Sequence, residues 1–317
     1  MQEPEPVPYS IPMRTRFRGI TAREGLLIRG SAGWAEFSPF LDYDASQCVP
    51  WLAAARASAD RGWPTPVRDR VPVNCTVPAV DPVRAAAIVR ASNGCRTAKV
   101  KVAEPGQALG DDLARVEAVR DALGPDGHIR IDVNGHWDVD QAQHAIPLVA
   151  RAAGGLEYVE QPCRTVRELA TVRKRVSVPI AADESIRLAS DPMRVVALEA
   201  ADVAVLKVQP LGGVEACLRI AEEIGLPVVV SSALETTIGI AAGVALAAAL
   251  PELPYACGLA TVQLLERDVV AHPLVPVDGA LAVTHPAPDP DALAAAGADH
   301  ETTLRWQARL REVEAIG

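Results

Sequence analysis

The chain has 317 residues, 31 of them basic and 40 acidic, for a net charge of −9. That length can bury one large α/β domain or a barrel with an attachment, and 49% hydrophobic with 22% charged residues is too apolar for disorder. The acidic balance argues against a nucleic-acid binder; the longest uncharged run, Thr236 to Pro251, is too short to span a membrane; and the acidic, proline-rich MQEPEPVPYS start has no secretory pattern, so a cytosolic protein is expected.

The first 70 residues read as a small antiparallel meander, Arg14–Phe17, Gly25–Arg29 and Gly33–Phe37, with Ser31-Ala32-Gly33 as a turn. A helix from Pro50 to Arg61 follows and ends near Gly62-Trp63-Pro64. Beyond it, short β-rich runs alternate with longer helical ones. The predicted strands are Pro72–Val77, Thr97–Val102, Ile129–Val133, Leu156–Glu160, Pro179–Ala182, Val203–Val208, Pro227–Val230 and Ala256–Leu259. Between them lie helical patterns over Pro82–Ser92, Asp111–Leu123, Val139–Ala152, Val166–Lys174, Pro192–Glu199, Val214–Ile224 and Ile238–Leu250. Eight strands with seven helices between them predict a closed parallel barrel. No GxGxxG or GxxxxGK[ST] announces a nucleotide-binding open sheet. A Pro/Asp-rich stretch, His272–Pro290, and a helix over Thr302–Ala315 end the chain. The expected division is a capping region, 1–70, completed by 270–317, beside a barrel over 71–269.

Cysteines Cys48, Cys75, Cys95, Cys163, Cys217 and Cys257 show no CxxC pair, and the histidines no HExxH, so neither a disulfide framework nor a zinc site is expected. Lysine usage is more telling. Only four of the 31 basic residues are lysines, Lys99, Lys101, Lys174 and Lys207, against 27 arginines. A position that keeps lysine points to a cation able to lose its proton.

In a βα barrel the chemistry sits at the C-terminal ends of the strands. Strand two carries Lys99 and Lys101 on one face, roughly 6.5–7 Å apart, and two inward lysines need an anionic partner. The next three strands each end in an acid, Asp132, Glu160 and Asp183, spaced by 28 and 23 residues, about one βα unit each. Strand six brings Lys207. Three carboxylates within about 4 Å would repel by about 4 kcal/mol per pair at an effective dielectric of 20. A hard divalent cation would neutralise them, Mg²⁺ rather than Zn²⁺, with Mn²⁺ as a possible substitute. Metal between lysines suggests proton removal beside a carboxylate, with the enolate held by the metal. Lys101 is the expected base, Lys99 its depressing neighbour and a contact for the substrate carboxylate, and Lys207 faces the same carbon from the other side. A small-molecule carboxylate is the expected partner. Ser231 and Ser232 lack the GxSxG elbow of a serine nucleophile; with Gly258 they are candidates for substrate contact.

Lys-x-Lys, Asp-x-Asn-Gly, Glu-Gln-Pro, Asp-Glu-Ser and Lys-x-Gln-x-x-Gly-Gly, in that order, resemble the enolase superfamily, and more narrowly its muconate-lactonising subgroup. The resemblance runs from Gly33-Trp34-Ala35-Glu36 through the eighth strand. It implies a modified (β/α)₇β TIM-like barrel with an α+β capping domain, Mg²⁺ on Asp132, Glu160 and Asp183, and Lys101 and Lys207 as acid/base residues. Val228–Ala233 holds no histidine, unlike the mandelate-racemase branch, and Gly258–Thr261 lacks the paired aspartates of dipeptide epimerases. The Ser231–Thr236 and Leu253–Leu259 segments look like the branch that dehydrates a cyclohexadiene carboxylate. The resemblance leaves open N-acylamino-acid racemisation or a related cycloisomerase or epimerase activity of the same subgroup, and a non-catalytic barrel is the alternative of another class.

Overall fold

Alternate burial of Tyr9, Ile11 and Met13 against outward neighbours makes one long edge strand, β1 (Val7–Phe17), in the computed structural model, which describes residues 5–188 and 191–317. The first four residues of the acidic, proline-rich start lie outside that range. β1 turns at Arg18-Gly19, both at positive φ (49° and 78°), into antiparallel β2 (Ile20–Arg29). β3 (Trp34–Phe37) completes the expected meander. Both long strands begin earlier than the sequence pattern suggests. Pro8 and Pro12 disguise β1, yet an edge strand tolerates residues that cannot donate to a ladder.

Helix α1 (Ala45–Arg61) likewise starts five residues before Pro50. Asp44 caps it, in a reciprocal box with Gln47, and Pro50 sits inside the helix instead of opening it.

The expected first barrel strand divides. β4 (Arg70–Pro72) leaves the barrel to pair antiparallel with β12 (Ala280–Ala282), and β5 (Cys75–Val77) opens the parallel sheet. There follow α2 (Pro82–Arg90), β6 (Thr97–Lys101), α3 (Leu109–Leu123), β7 (His128–Asp132), α4 (Val139–Ala152), β8 (Val159–Glu160), α5 (Val166–Arg173) and β9 (Ile180–Ala182). One-turn helices α6 (Glu184–Arg187) and α7 (Arg194–Ala197) precede β10 (Val203–Leu206), α8 (Val214–Ile224), β11 (Val228–Val230) and α9 (Thr237–Ala249). The seven parallel strands run in sequence order from β5 to β11.

The expected eighth strand, Ala256–Leu259, is reduced to two bridges, Val73 to Cys257 and Ser231 to Gly258, which join the sheet's two edges. A 3₁₀ turn over Ala260–Leu264 ends the segment before a longer ladder can form. Gly258 is required where it passes β11. A Cβ there would lie 2.6 Å from Ser231 Oγ.

Two elements fasten the N-terminal sheet to the rest. Helix α9 is buried on nearly every side and packs against β3, β11 and α8. After α10 (Pro290–Ala295), helix α11 (His300–Glu314) lies on α1 and β1, with Trp306 edge-on to Phe37 at a centroid distance of 6.1 Å. β12 and α10 are ordered elements within or beside the Pro/Asp-rich stretch. Among the described residues no helix is long and apolar enough to cross a membrane.

Candidate active site

Parallel register sets the site out strand by strand. Lys101 pairs with Asp132, and Asp132 with Glu160, in the β6–β7–β8 ladders, so their side chains share one level of the barrel mouth. Asp183 and Lys207 follow the last residues of β9 and β10. Inward side chains two residues earlier form a floor. Arg130 Nη1 donates to Tyr158 Oη (2.7 Å) and to the Ala256 carbonyl (2.9 Å), and its guanidinium lies 4.7 Å from the Tyr158 ring centroid. Val203, Val205, Val229 and Tyr255 pack around that pair.

Above the floor, the three acids are met by the three lysines. Lys99 Nζ stands 2.9 Å from Asp132 Oδ2 and 2.6 Å from Glu160 Oε1. Lys101 Nζ is 2.6 Å from the same Asp132 oxygen, and Lys207 Nζ is 2.6 Å from Asp183 Oδ2. The acids are 0–1% exposed. Burial at this depth requires such pairing.

The short motifs around these residues brace them. Asn134 and Gln161 leave their strands at positive φ, 50° and 42°. Gln161 Oε1 accepts from the backbone N–H groups of Asp183 and Ser185, both at 3.1 Å, fixing the turn after β9. Asn134 Oδ1 accepts from Lys101 Nζ, and its amide donates to Glu184 Oε1 at 3.2 Å. Gln209, two residues past Lys207, accepts from Ser38 N–H at 3.1 Å and so joins the barrel to the N-terminal sheet.

Electrostatics divides the lysines. Burial lowers the affinity of Lys99 for its proton, but the Asp132 and Glu160 charges outweigh this and hold it well above the usual range. Burial also acts on Lys101; Asp132 opposes it, the nearby Lys99 charge reinforces it, and the net shift is downward. Among the acids, burial pushes Glu160 up to about 7, helped by the Asp132 and Asp183 charges. Against the same burial, Lys101 and Lys99 hold Asp132 well below the carboxylate range, and Arg187 and Lys207 hold Asp183 at about 2.

A cleft opens over the mouth. Lys99, Lys101, Lys207 and Asp132 line it, and the candidate contacts Ser231, Ser232 and Gly258 reach it too. Ser232 Oγ is within 2.7 Å of Thr261 Oγ1. The sequence reading missed the roof, where Phe17, Arg18, Phe40 and Trp51 come from the N-terminal region. It also missed Arg187, whose Nε is 2.9 Å from Asp183 Oδ1. An acid and an arginine four residues apart on one short helix were the available signal.

Among the described residues, no group of three acidic, histidine or cysteine side chains is closed in metal-holding geometry. Lysine ammonium groups stand between the acids instead. The donor chemistry nevertheless fits a hard divalent cation. Three buried carboxylates on adjacent strand ends offer only oxygen, the donor atom that such an ion takes.

Comparison with known proteins agrees with this architecture. The description "Enolase N-terminal domain-like" matches residues 8–59 and "Enolase C-terminal domain-like" residues 82–289. The muconate lactonizing enzyme from Pseudomonas putida shares the fold, with a TM-score of 0.75 at 22% identity over 93% of this chain and 98% of that one. So does the L-Ala-D/L-Glu epimerase from Bacillus subtilis, with a TM-score of 0.76 at 23% identity over 88% of this chain and 95% of that one. The class is thus an enolase-like barrel with its N-terminal cap. Closer relatives are more particular. The o-succinylbenzoate synthase of Thermobifida fusca is 65% identical over 307 residues, 97% of this chain and 95% of that protein. The o-succinylbenzoate synthase of Mycolicibacterium smegmatis is 54% identical over 97% of this chain and 94% of that one. The chain belongs to the enolase superfamily and, within it, to the family of these synthases.

Proposed function

We propose that this protein is an o-succinylbenzoate synthase, a lyase that removes water from 2-succinyl-6-hydroxy-2,4-cyclohexadiene-1-carboxylate in menaquinone biosynthesis. The observation that carries the reading is the run Lys101, Asp132, Glu160, Asp183, Lys207 at the C-terminal ends of five adjacent strands, in a chain 65% identical to such a synthase. Residues 1–70 with 270–317 form the cap and 71–269 the cytosolic enzyme's catalytic barrel.

Asp132, Glu160 and Asp183 would hold Mg²⁺, or Mn²⁺ in its place. The cation, when bound, supplies positive charge beside the substrate carboxylate as charge builds up there. In the resting site three lysine side chains already face three carboxylates, and Lys101 enters the reaction as the neutral amine. A divalent cation and a substrate with two carboxylates bring equal and opposite charge, so they enter together without unbalancing the site.

Lys101 Nζ takes the proton from the ring carbon that bears the carboxylate. The C–H electron pair becomes the new ring double bond, the C–O bond breaks, and the hydroxyl leaves with the proton carried by Lys101. Water is lost, the ring becomes aromatic, and Lys101 returns to its neutral form. Asn134 Oδ1 orients the Lys101 amine. Lys99 contacts the substrate carboxylate from beside Asp132. Lys207, fixed by Asp183, faces the ring as a cation. Ser231, Ser232 and Gly258 border the substrate from the β11 side.

The test is ultraviolet detection of ring aromatisation with Mg²⁺ and with EDTA. Turnover that EDTA abolishes and Mg²⁺ or Mn²⁺ restores is expected. No turnover with Mg²⁺ present would remove the reading.

A further inference from the structure

One arginine joins the cap to both ends of the lysine–carboxylate array. The Arg187 side chain is 5% exposed, and each of its three nitrogens has a different partner. Nε donates to Asp183 Oδ1 at 2.9 Å, Nη2 to Glu184 Oε1 at 2.6 Å, and Nη1 to the Tyr43 hydroxyl. Asp183 carries Lys207 on its other oxygen, while Glu184 leads through Asn134 to Lys101. Lys207 is therefore two hydrogen bonds, and Lys101 three, from a single guanidinium.

On the cap side the chain of contacts continues to the roof of the cleft. Tyr43 is 6% exposed and also accepts from Arg18 Nη2 at 3.2 Å. The Arg18 guanidinium lies 3.9 Å from the Phe40 ring centroid. Phe40 and Trp51 stand edge-on to Tyr43 at 6.0 and 5.8 Å. Arg18, Phe40 and Trp51 line the cleft. A molecule in the cleft touches the very residues that hold the Tyr43 hydroxyl on Arg187.

We infer that Arg187 is a positioning residue through which occupation of the cleft and cation binding at Asp183 strengthen each other. The inference rests on the proposed function. Its physical basis is the rigid planar fork of arginine, which fixes two carboxylates and a phenol in one plane; a lysine in the same place supplies charge but not that geometry. Orientation of a ligating carboxylate by an outer partner commonly changes metal affinity 10–100-fold. Coupling between two sites is reciprocal, so each ligand must tighten the other by the same factor.

The experiment measures Mn²⁺ binding from the free-ion electron paramagnetic resonance signal, with and without o-succinylbenzoate, in the full-length protein. In the unmodified protein the organic ligand should tighten Mn²⁺ binding about fivefold or more. Arg187→Lys, which keeps the charge, should weaken Mn²⁺ binding about tenfold without the organic ligand. Tyr43→Phe should leave Mn²⁺ affinity alone within about twofold, yet lose most of the tightening. A side chain with a merely structural role would lower the melting midpoint without selectively removing the coupling. Unchanged Mn²⁺ affinity in Arg187→Lys, or undiminished coupling in Tyr43→Phe, overturns the inference while leaving the function intact. Failure of the unmodified protein to bind Mn²⁺ would remove the cation from the proposed function and this inference with it.

Discussion

Glu36 Oε2 accepts hydrogen bonds from both the backbone N–H (3.0 Å) and the hydroxyl of Thr236, a residue 200 positions further along the chain. Thr236 is the N-cap of α9, and the same carboxyl oxygen also accepts from Gly239 N–H at 3.2 Å. Tyr9 and Ser38 hydroxyls occupy the other oxygen, at 2.7 and 2.6 Å. One buried side chain of the N-terminal sheet thus caps a barrel helix.

Glu36→Ala leaves several buried donors without an acceptor, each worth about 1–3 kcal/mol. A loss of about 3 kcal/mol in unfolding free energy is expected after partial relaxation, read as a lower urea midpoint. A midpoint equal to that of the unmodified protein would show that the cap and α9 are joined by other contacts.

Stability should also depend on pH through Glu235. Burial, then the neighbouring Glu36 charge, raise its carboxyl to about 7 from an ordinary 4.5, with Arg23 opposing. The folded chain therefore holds the proton more tightly than the unfolded chain. This group's contribution is full below about pH 4.5, declines as pH rises toward 7, and is gone above that. Glu36 is raised by burial too and acts in the same direction. Urea midpoints of the protein and of Glu235→Gln, taken across pH 5 to 8, should converge toward the acid end and separate toward the alkaline end. Parallel curves would refute the assignment.

Lys101→Arg keeps a positive charge but cannot give up its proton at working pH. Turnover should fall about 10²–10⁴-fold, the usual value of a general base. Lys207→Arg, where charge is the proposed requirement, should retain far more activity. Equal losses in the two variants would contradict the division of roles.

Glu160→Gln removes one of the three carboxylates and leaves Lys99 with Asp132 alone. The Mg²⁺ concentration for half-maximal turnover should rise at least about tenfold. An unchanged Mg²⁺ requirement would exclude Glu160 as a ligand.

Much of this site was legible because strand periodicity is strict. Two-residue alternation puts Lys99 and Lys101 on one face, the next two strands deliver Asp132 and Glu160 at the level of Lys101, and Asp183 follows one alternation further along. Arg187 was legible only in its four-residue spacing from Asp183; its link to Tyr43, 144 residues away, comes from tertiary packing. The roof residues Phe17, Arg18, Phe40 and Trp51 share that origin: tertiary packing alone brings the N-terminal region over the mouth. Elsewhere, prolines misled. Pro8, Pro12 and Pro50 sit inside regular elements, where edge position and an upstream cap accommodate them. The eighth strand was expected as a full element because its composition suits one, but the chain bends into a 3₁₀ turn after two bridges.

Beneath Asp132 and Glu160, the stacked guanidinium and phenol of Arg130 and Tyr158 plug the barrel's axis. The protein is consequently a vessel with its stopper built into the bottom. Reactant, organic product and the expelled water molecule share the upper doorway, so the aromatic acid leaves by the way its precursor came in, through a cleft that Phe17 and Arg18 help to line.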